Sequence, residues 1–367
     1  MKSPVKILQN AGLLILLFLA LGACATRLPE PLTPQNNIAA PPEIRVNPDT
    51  GEHSAEIDVL IYNIAALPWP IRSNRAKATK LIGRELAEMR KQGTQPNIVM
   101  IQEGFRSSIK HLINQSGYTN WVRGPATGDK MPDFSDRAPE EFKKGRSFFK
   151  GERTGKVMDS GLYILSDWPI LGKTSQPFYR YECAGFDCGA NKGTLAVGIQ
   201  IPGMPGYLQM YTVHMNAGGE ATGVSDDRSL IAHKLQLDHI SETVNAGVNT
   251  EQPLIFGGDF NMKQASERLD YAFSDRGQLE GVVLVQHYCV VIAPTQCDVR
   301  MELESAEPWQ DTQDWQASRS GKQVTVAPIM VDVLFSEERQ DAPKIKGRRT
   351  LSDHNALLVR YRLSWMP

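Results

Sequence analysis

Along this 367-residue chain, residues able to bind a hard metal ion or move a proton recur where β-type runs end. Asn63 closes VLIYN, Glu103 follows IVMIQ, and His214 closes MYTVH. Asp259 and Asn261 follow LIFGG, Asp332 lies within MVDVLF, and Asp353 and His354 precede NALLVRYRL. Taken singly, each is an ordinary turn residue, since Asn and Asp favour strand ends. As a set they are chemically coherent. Carboxylates with an amide carbonyl suit Mg²⁺, or Mn²⁺, and two histidines offer proton transfer or phosphate hydrogen bonds near neutral pH. Such a set can assist attack of water on a phosphate ester.

That chemistry requires a sheet whose strand ends converge. Short β-type runs are read at Ile57 to Asn63, Ile98 to Gln102, Gly161 to Leu165, Leu195 to Ile201, Leu208 to His214, Leu254 to Phe256, Val331 to Ser336 and Ala356 to Tyr361. Between them, Ala78, Ile82, Leu86 and Met89 recur at helical spacing, as do Leu230, Leu237, Ile240 and Val244 behind Ser225 and two aspartates. No Gly-x-Gly-x-x-Gly motif, P-loop or internal repeat is present. One α/β domain over residues 55–367 accounts for these elements. In IFGGDFNM, Gly257 and Gly258 read as a sharp bend open to a substrate. Asp259 and Asn261, two apart, would face one way, with Phe260 turned into packing.

These motifs, in this order, resemble the endonuclease/exonuclease/phosphatase superfamily with its DNase I-like fold. The resemblance rests on Asn63, the Gln102-Glu103 pair, His214, Gly258 to Asn261, Asp332, and Ser352 to His354. It implies a four-layer α/β/β/α sandwich, two packed mixed β-sheets flanked by helices. It also implies roles. Glu103 would be the main Mg²⁺ ligand with Asn63 beside it, and Asp353 would lie near that or a second metal. Asp259 and Asn261 would orient the nucleophile or leaving group and the phosphate. His214 would stabilise phosphoryl charge, and His354 would be the general acid/base, its tautomer held by Asp332. Which residue activates the water, and whether one or two metals act, stay open.

Members of this superfamily hydrolyse nucleic acids, inositol phosphates and sphingomyelin, so the substrate is read from residues outside the shared set. Gln102-Glu103-Gly104-Phe105, Ser166-Asp167-Trp168-Pro169-Ile170 and Asn191-Lys192-Gly193 resemble the neutral sphingomyelinase branch. The reading is a phosphodiesterase of the sphingomyelinase C type acting on a phospholipid headgroup. The alternatives are a secreted or periplasmic DNase I-like endonuclease and a catalytically inactive envelope binding module. Forty basic residues against forty-one acidic ones give a net charge of -1, a poor field for nucleic acid. Trp309 and Trp315 stand among Glu302, Glu304, Glu307, Asp311 and Asp314, which points the same way. One stretch keeps other anionic partners open: Phe142, Lys143, Lys144, Arg146, Phe148, Phe149 and Lys150 interleave aromatics and cations. The remaining histidines, including His233 and His239, read as structural or surface residues.

The first residues read as an export signal: Lys2 and Lys6 precede an apolar run from Ala11 to Ala23, too short to span a bilayer. Leu21-Gly22-Ala23-Cys24 resembles the bacterial lipobox, which implies cleavage after residue 23 and acyl chains on Cys24. The absence of Asp beside that cysteine fits an outer-membrane lipoprotein facing the periplasm or the exterior. Residues 24–54, rich in proline, read as a tether. In an oxidising compartment Cys183, Cys188, Cys289 and Cys297 would form two disulfides. Neighbour pairing is the simplest of three connectivities, and the sequence leaves cross-pairing open. Nothing requires oligomerisation, so a monomer is the default.

Overall fold

The computed structural model describes residues 39–367 apart from 69–70, 106, 131–132, 248 and 302–309. The export signal, Cys24, the first part of the tether, and Glu302, Glu304, Glu307 and Trp309 lie outside the described residues.

In chain order the strands are β1 (Ile44–Val46), β2 (His53–Asn63), β3 (Ile98–Gln102), β4 (Asn120–Arg123), β5 (Tyr163–Ser166), β6 (Ile170–Pro177), β7 (Gly193–Ile199) and β8 (Leu208–His214). They continue with β9 (Leu254–Asp259), β10 (Val283–Leu284), β11 (Asp298–Val299), β12 (Asp314–Arg319), β13 (Val324–Leu334), β14 (Lys344–Ile345), β15 (Arg348–Arg349) and β16 (Ala356–Trp365). One sheet runs β11-β13-β16-β2-β3-β5-β4, with β1 also on β2, and the other runs β10-β12-β9-β8-β7-β6. At the heart of each lies a parallel pair, β2 with β3 and β8 with β9. Both sheets are mixed, as expected.

The alternation of side chains along each strand builds the layers. From the first sheet, Val59, Ile61 and Met100 face inward to meet Leu195, Met210 and Ile255 of the second, forming the central core. Their neighbours Leu60, Tyr62, Val99 and Ile101 face outward against Leu81, Ile82 and Leu86 of the helix Arg75–Lys91 and Leu112 and Ile113 of the helix Ile109–Ser116. On the other side, Tyr211, Val213 and Phe256 take Leu237, Ile240 and Val244 of the helix Asp226–Gly247. Acidic Asp226 and Asp227 in that helix's first turn complement its dipole.

Two boundaries differ from expectation. The folded unit begins before Ala55, because β1 pairs with His53 to Ala55, Ala39 donates to the Asp167 carbonyl, and Trp168 donates to that of Ala40. Prolines excluded helix from this stretch but not an edge strand. The glycine pair also lies inside β9 rather than at a bend. A Cβ on Gly257 would stand 2.3 Å from Ile61 Cδ1, and one on Gly258, whose φ is 153°, would stand 2.1 Å from the Val213 carbonyl oxygen. Close approach of the two sheets and of β8 to β9 requires glycine there.

Candidate active site

Register decides which strand ends meet. Parallel strands finish at a common edge, where ligands of open α/β sheets commonly sit. Across β2 and β3, Asn63 pairs with Gln102, which places Glu103 one residue beyond. Across β8 and β9, His214 pairs with Asp259, and the antiparallel β12 sets Asp314 opposite Asp259. The two rows are joined between sheets. Asn63 Nδ2 donates to Asp259 Oδ2 at 2.8 Å and to Glu103 Oε1 at 3.3 Å, and Gln102 Nε2 donates to Thr212 Oγ1 at 3.1 Å.

The loop before β16 delivers His354 to the same point. Ser352 Oγ donates to the Asn63 carbonyl at 2.6 Å and accepts the His354 N–H at 3.2 Å. Buried Arg75 fastens this loop to the one after β2, donating to the carbonyls of Ala65, Ile64 and Leu351 at 2.8, 3.0 and 2.5 Å. His354 Nδ1 lies 2.8 Å from Asp314 Oδ2, and its Nε2 lies 3.9 Å from Asp259 Oδ2. Glu103 and Asn261 both hold left-handed backbone, φ 55° and 53°. Such conformations cost roughly 1 kcal/mol or more in a non-glycine residue and concentrate at functional sites.

Burial and charge set the proton inventory. Burial alone would lower the pKa of His354, but Asp314, Asp259 and Asp353 outweigh it and push it to about 10, so the ring carries two protons at neutral pH. Asp259 is pushed by burial to about 7, with the His354 charge opposing and the Asp314 charge reinforcing the rise. Burial raises Glu103 as well. His214 goes the other way: burial, then Lys192 and His354, hold it well below the usual histidine range, as neutral imidazole. Its Nε2 lies 3.6 Å from Asp259 Oδ2 and 4.0 Å from Glu103 Oε1. Two desolvated carboxylates facing one cleft are the donor chemistry that a hard divalent cation fits. Asp259, Asp314 and His354 also offer atoms within 4.8 Å of one another. There, however, the Nδ1 of His354 is engaged with Asp314, which leaves Glu103 as the better anchor.

The structure thus brings together Asn63, Glu103, His214, Asp259, Asn261 and His354. One assignment needs correction. Asp332 does not hold His354: it pairs across β13 and β16 with Leu358, on the helix-covered face, while the inward position beside it belongs to Val331. Asp314 occupies that place instead. Asp353, expected near a metal, lies close enough for its charge to act on Glu103 and is ion-paired to Arg72 at 3.2 Å and Lys346 at 3.0 Å. Asn63 turns its NH₂ to the two carboxylates and its oxygen to the Ala65 N–H, so it orients Glu103 and Asp259. Asn261 is not extended beside Asp259. Its N–H bonds Asp259 Oδ1 at 2.9 Å and its amide donates to the Met215 carbonyl at 3.1 Å. Phe260 does pack outward, stacked on Trp315 at 5.5 Å.

Lys192 was legible only as part of a motif. Its Nζ lies 3.0 Å from His214 Nε2, 2.8 Å from Asp187 Oδ2 and 2.9 Å from the Met215 carbonyl, a buried cation at the edge of the cleft. Asp314 was legible only as one acid among several. By contrast, Trp168 of the Ser-x-Trp-Pro-Ile stretch is buried structure, and Asp167 beside it pairs with Arg90 at 2.7 Å. His233 bonds the Phe260 carbonyl and His239 bonds Glu182, both as buried structural groups. Both disulfides join neighbours, Cys183 with Cys188 and Cys289 with Cys297.

No protein-family model matches this chain. Among curated proteins it is similar to a sphingomyelinase of Mycobacterium bovis, 26% identical over 324 residues that cover 85% of this chain and 54% of the relative. The chain thus spans about half the length of the curated relatives it matches. Among solved structures it resembles a beta toxin of Staphylococcus aureus with bound magnesium ions (16% identical, TM-score 0.55, covering 83% of this chain and 99% of that one). It also resembles TDP2 of D. rerio complexed with a single-strand DNA product (15% identical, TM-score 0.53, covering 83% and 98%). At these identities the likeness is one of fold: the chain has the DNase I-like architecture.

Proposed function

We propose that the DNase I-like domain of this chain is a metal-dependent phosphodiesterase that cleaves a phospholipid headgroup, in the manner of a sphingomyelinase C. The observation that carries the reading is the meeting of the Asp314–His354 pair with Asp259, Asn63 and Glu103 at one edge of both sheets. Similarity to a sphingomyelinase supports the lipid substrate. Glu103 would hold Mg²⁺, with Asn63 fixing its carboxylate. When bound, the ion would offset negative charge on the phosphoryl oxygens.

The residues divide the remaining work. His354, doubly protonated and steered by Asp314, gives its Nε2 proton to the leaving oxygen. Asp259, poised near 7, accepts a proton from the attacking water. His214 is neutral, so the fixed positive charge beside the phosphoryl group belongs to Lys192. An acyl anchor on Cys24 would hold this cleft against an envelope membrane.

The test is a parallel assay of sphingomyelin and lysophospholipid vesicles, plasmid DNA and inositol phosphates with Mg²⁺. Lipid hydrolysis that EDTA or Glu103→Gln abolishes is expected. Turnover unchanged in EDTA would refute metal dependence, and plasmid cleavage with inert lipid would replace the lipid substrate by nucleic acid.

A further inference from the structure

The stretch from Phe142 to Lys150 plays no part in the chemistry above. Phe142 is buried, with the Arg228 guanidinium 4.3 Å above its ring, whereas Phe148 and Phe149 stay 46% and 58% exposed, edge to face at 5.9 Å. This segment forms one wall of a cavity of about 640 Å³. Another wall is the loop closed by the Cys183–Cys188 disulfide, and Asn191, which also lines the cavity, precedes Lys192 of the catalytic site in the chain.

The cavity is basic. Lys130, Lys143, Arg146, Arg153, Lys156 and Arg180 line it. Its carboxylates are already engaged. Glu152 takes Arg228 Nε at 2.6 Å and the N–H groups of Ser147 and Gly185. Asp133 faces Arg180 at 3.5 Å, and Asp129 takes the Ala126 N–H at 2.9 Å. Lys143 likewise pairs with Glu140 at 2.5 Å. Three of the cations, in contrast, make do with main-chain carbonyls: Arg146 donates to Arg180 and Glu152, Arg153 to Lys144, and Lys156 to Ala190 at 3.0 Å. Among the described residues, Arg146, Arg153 and Lys156 have no carboxylate at ion-pair distance. Burial, with Arg146 next in effect and Asp187 opposing, pushes the Lys156 ammonium down to about 8.

We propose that this cavity binds a phosphate-class anion, either the phosphomonoester of a lipid headgroup or free inorganic phosphate, beside the catalytic cleft and separate from it. Guanidinium forks at Arg146 and Arg153 with a point charge at Lys156 match tetrahedral phosphate oxygens. A cationic headgroup such as choline is repelled there. The exposed Phe148 and Phe149, flanked by Lys150, provide an apolar rim that can rest at a bilayer interface with a lipid phosphate above the cavity. The disulfide holds the opposite wall in place before any ligand arrives.

Binding is measured on the full chain in EDTA, so that the result is independent of whether the chain hydrolyses anything. Inorganic phosphate is titrated while thermal melting is followed. Separately, partition is measured onto vesicles of phosphatidylcholine with and without phosphatidic acid. Phosphate is expected to raise Tm, and Lys156→Gln with Arg153→Gln to weaken phosphate binding at least about tenfold. Arg153→Gln alone, at an exposed side chain, keeps the test valid where the double variant melts early. Tighter partition with phosphatidic acid, lost in the variants, identifies a lipid phosphate as the ligand. Phosphate protection with equal partition onto both vesicles identifies the free anion. Absence of any phosphate effect, protection unchanged in both variants, or preference for single-stranded DNA over phosphate and lipid would each overturn the proposal.

Discussion

Replacing Asp314 by Asn keeps the shape of the side chain facing His354 Nδ1 and removes its charge, separating the partner found in the structure from Asp332. His354 stands at about 10 against an ordinary 6.5. That difference corresponds to about 5 kcal/mol at about 1.4 kcal/mol per pH unit. Asp314 leads the carboxylates that raise it, and a hydrogen bond to a charged group is worth about 1.5–3 kcal/mol, so about 2 kcal/mol falls to Asp314. The folded pKa is raised, so this stabilisation is complete below about 6.5 and is lost as pH rises through about 10. Melted in EDTA, wild type and Asp314→Asn should differ by about 2 kcal/mol near pH 6 and converge above about pH 10. With Mg²⁺ and a phosphodiester substrate, Asp314→Asn should lower kcat by about 10²- to 10⁴-fold, the range for a general acid or base. The alkaline limb of its pH profile should move toward ordinary histidine values. Asp332→Asn should stay within about threefold of wild type, being a partly buried substitution away from the cleft. Full activity in Asp314→Asn, with loss in Asp332→Asn, would refute the assignment.

Lys192→Met should cost about 2–3 kcal/mol in urea unfolding, because it leaves Asp187 only the Ala217 N–H and removes bonds to His214 and Met215. A change under about 1 kcal/mol would mean that Lys192 is not integral to the cleft wall. Gly258→Ala should destabilise by about 1–3 kcal/mol, since the new Cβ would stand 2.1 Å from the Val213 carbonyl oxygen; an unchanged urea midpoint would contradict this. Expressed in a bacterial host fed a labelled fatty acid, the full chain should take up label and Cys24→Ser should not. Equal labelling of both would remove the lipid anchor.

Eight of the sixteen strands among the described residues announced themselves through apolar runs flanked by polar residues, and the two long helices through apolar recurrence at 3.6-residue spacing. The strands that did not are instructive. Along β6, Gly172, Lys173 and Thr174 lie exposed on a sheet edge, leaving little apolar alternation to read. In β12 the residues that face inward are polar. Gln316 donates to the carbonyls of Val59 and Leu357 and accepts from Tyr361, tying the sheets by hydrogen bonds where an apolar side chain would be expected. Missing β12 meant missing Asp314. The site could be read further than the fold's edges, because Asn63, Glu103, His214 and Asp259 each close or follow a legible run and His354 precedes one.

By itself the sequence determined the donor types, their positions at strand ends and the α/β layering, since all of these follow from local period and residue chemistry. Only the tertiary structure decided the partners. Which aspartate meets His354 depends on the register of β12 against β9 and of β13 against β16, pairings between residues far apart in the chain. Because strand side chains alternate faces, one position separates an inward residue from an outward one. Val331 takes the inward place in β13 and Asp332 the outward one, while Asp314 shares a face with Asp259 and becomes the partner of His354.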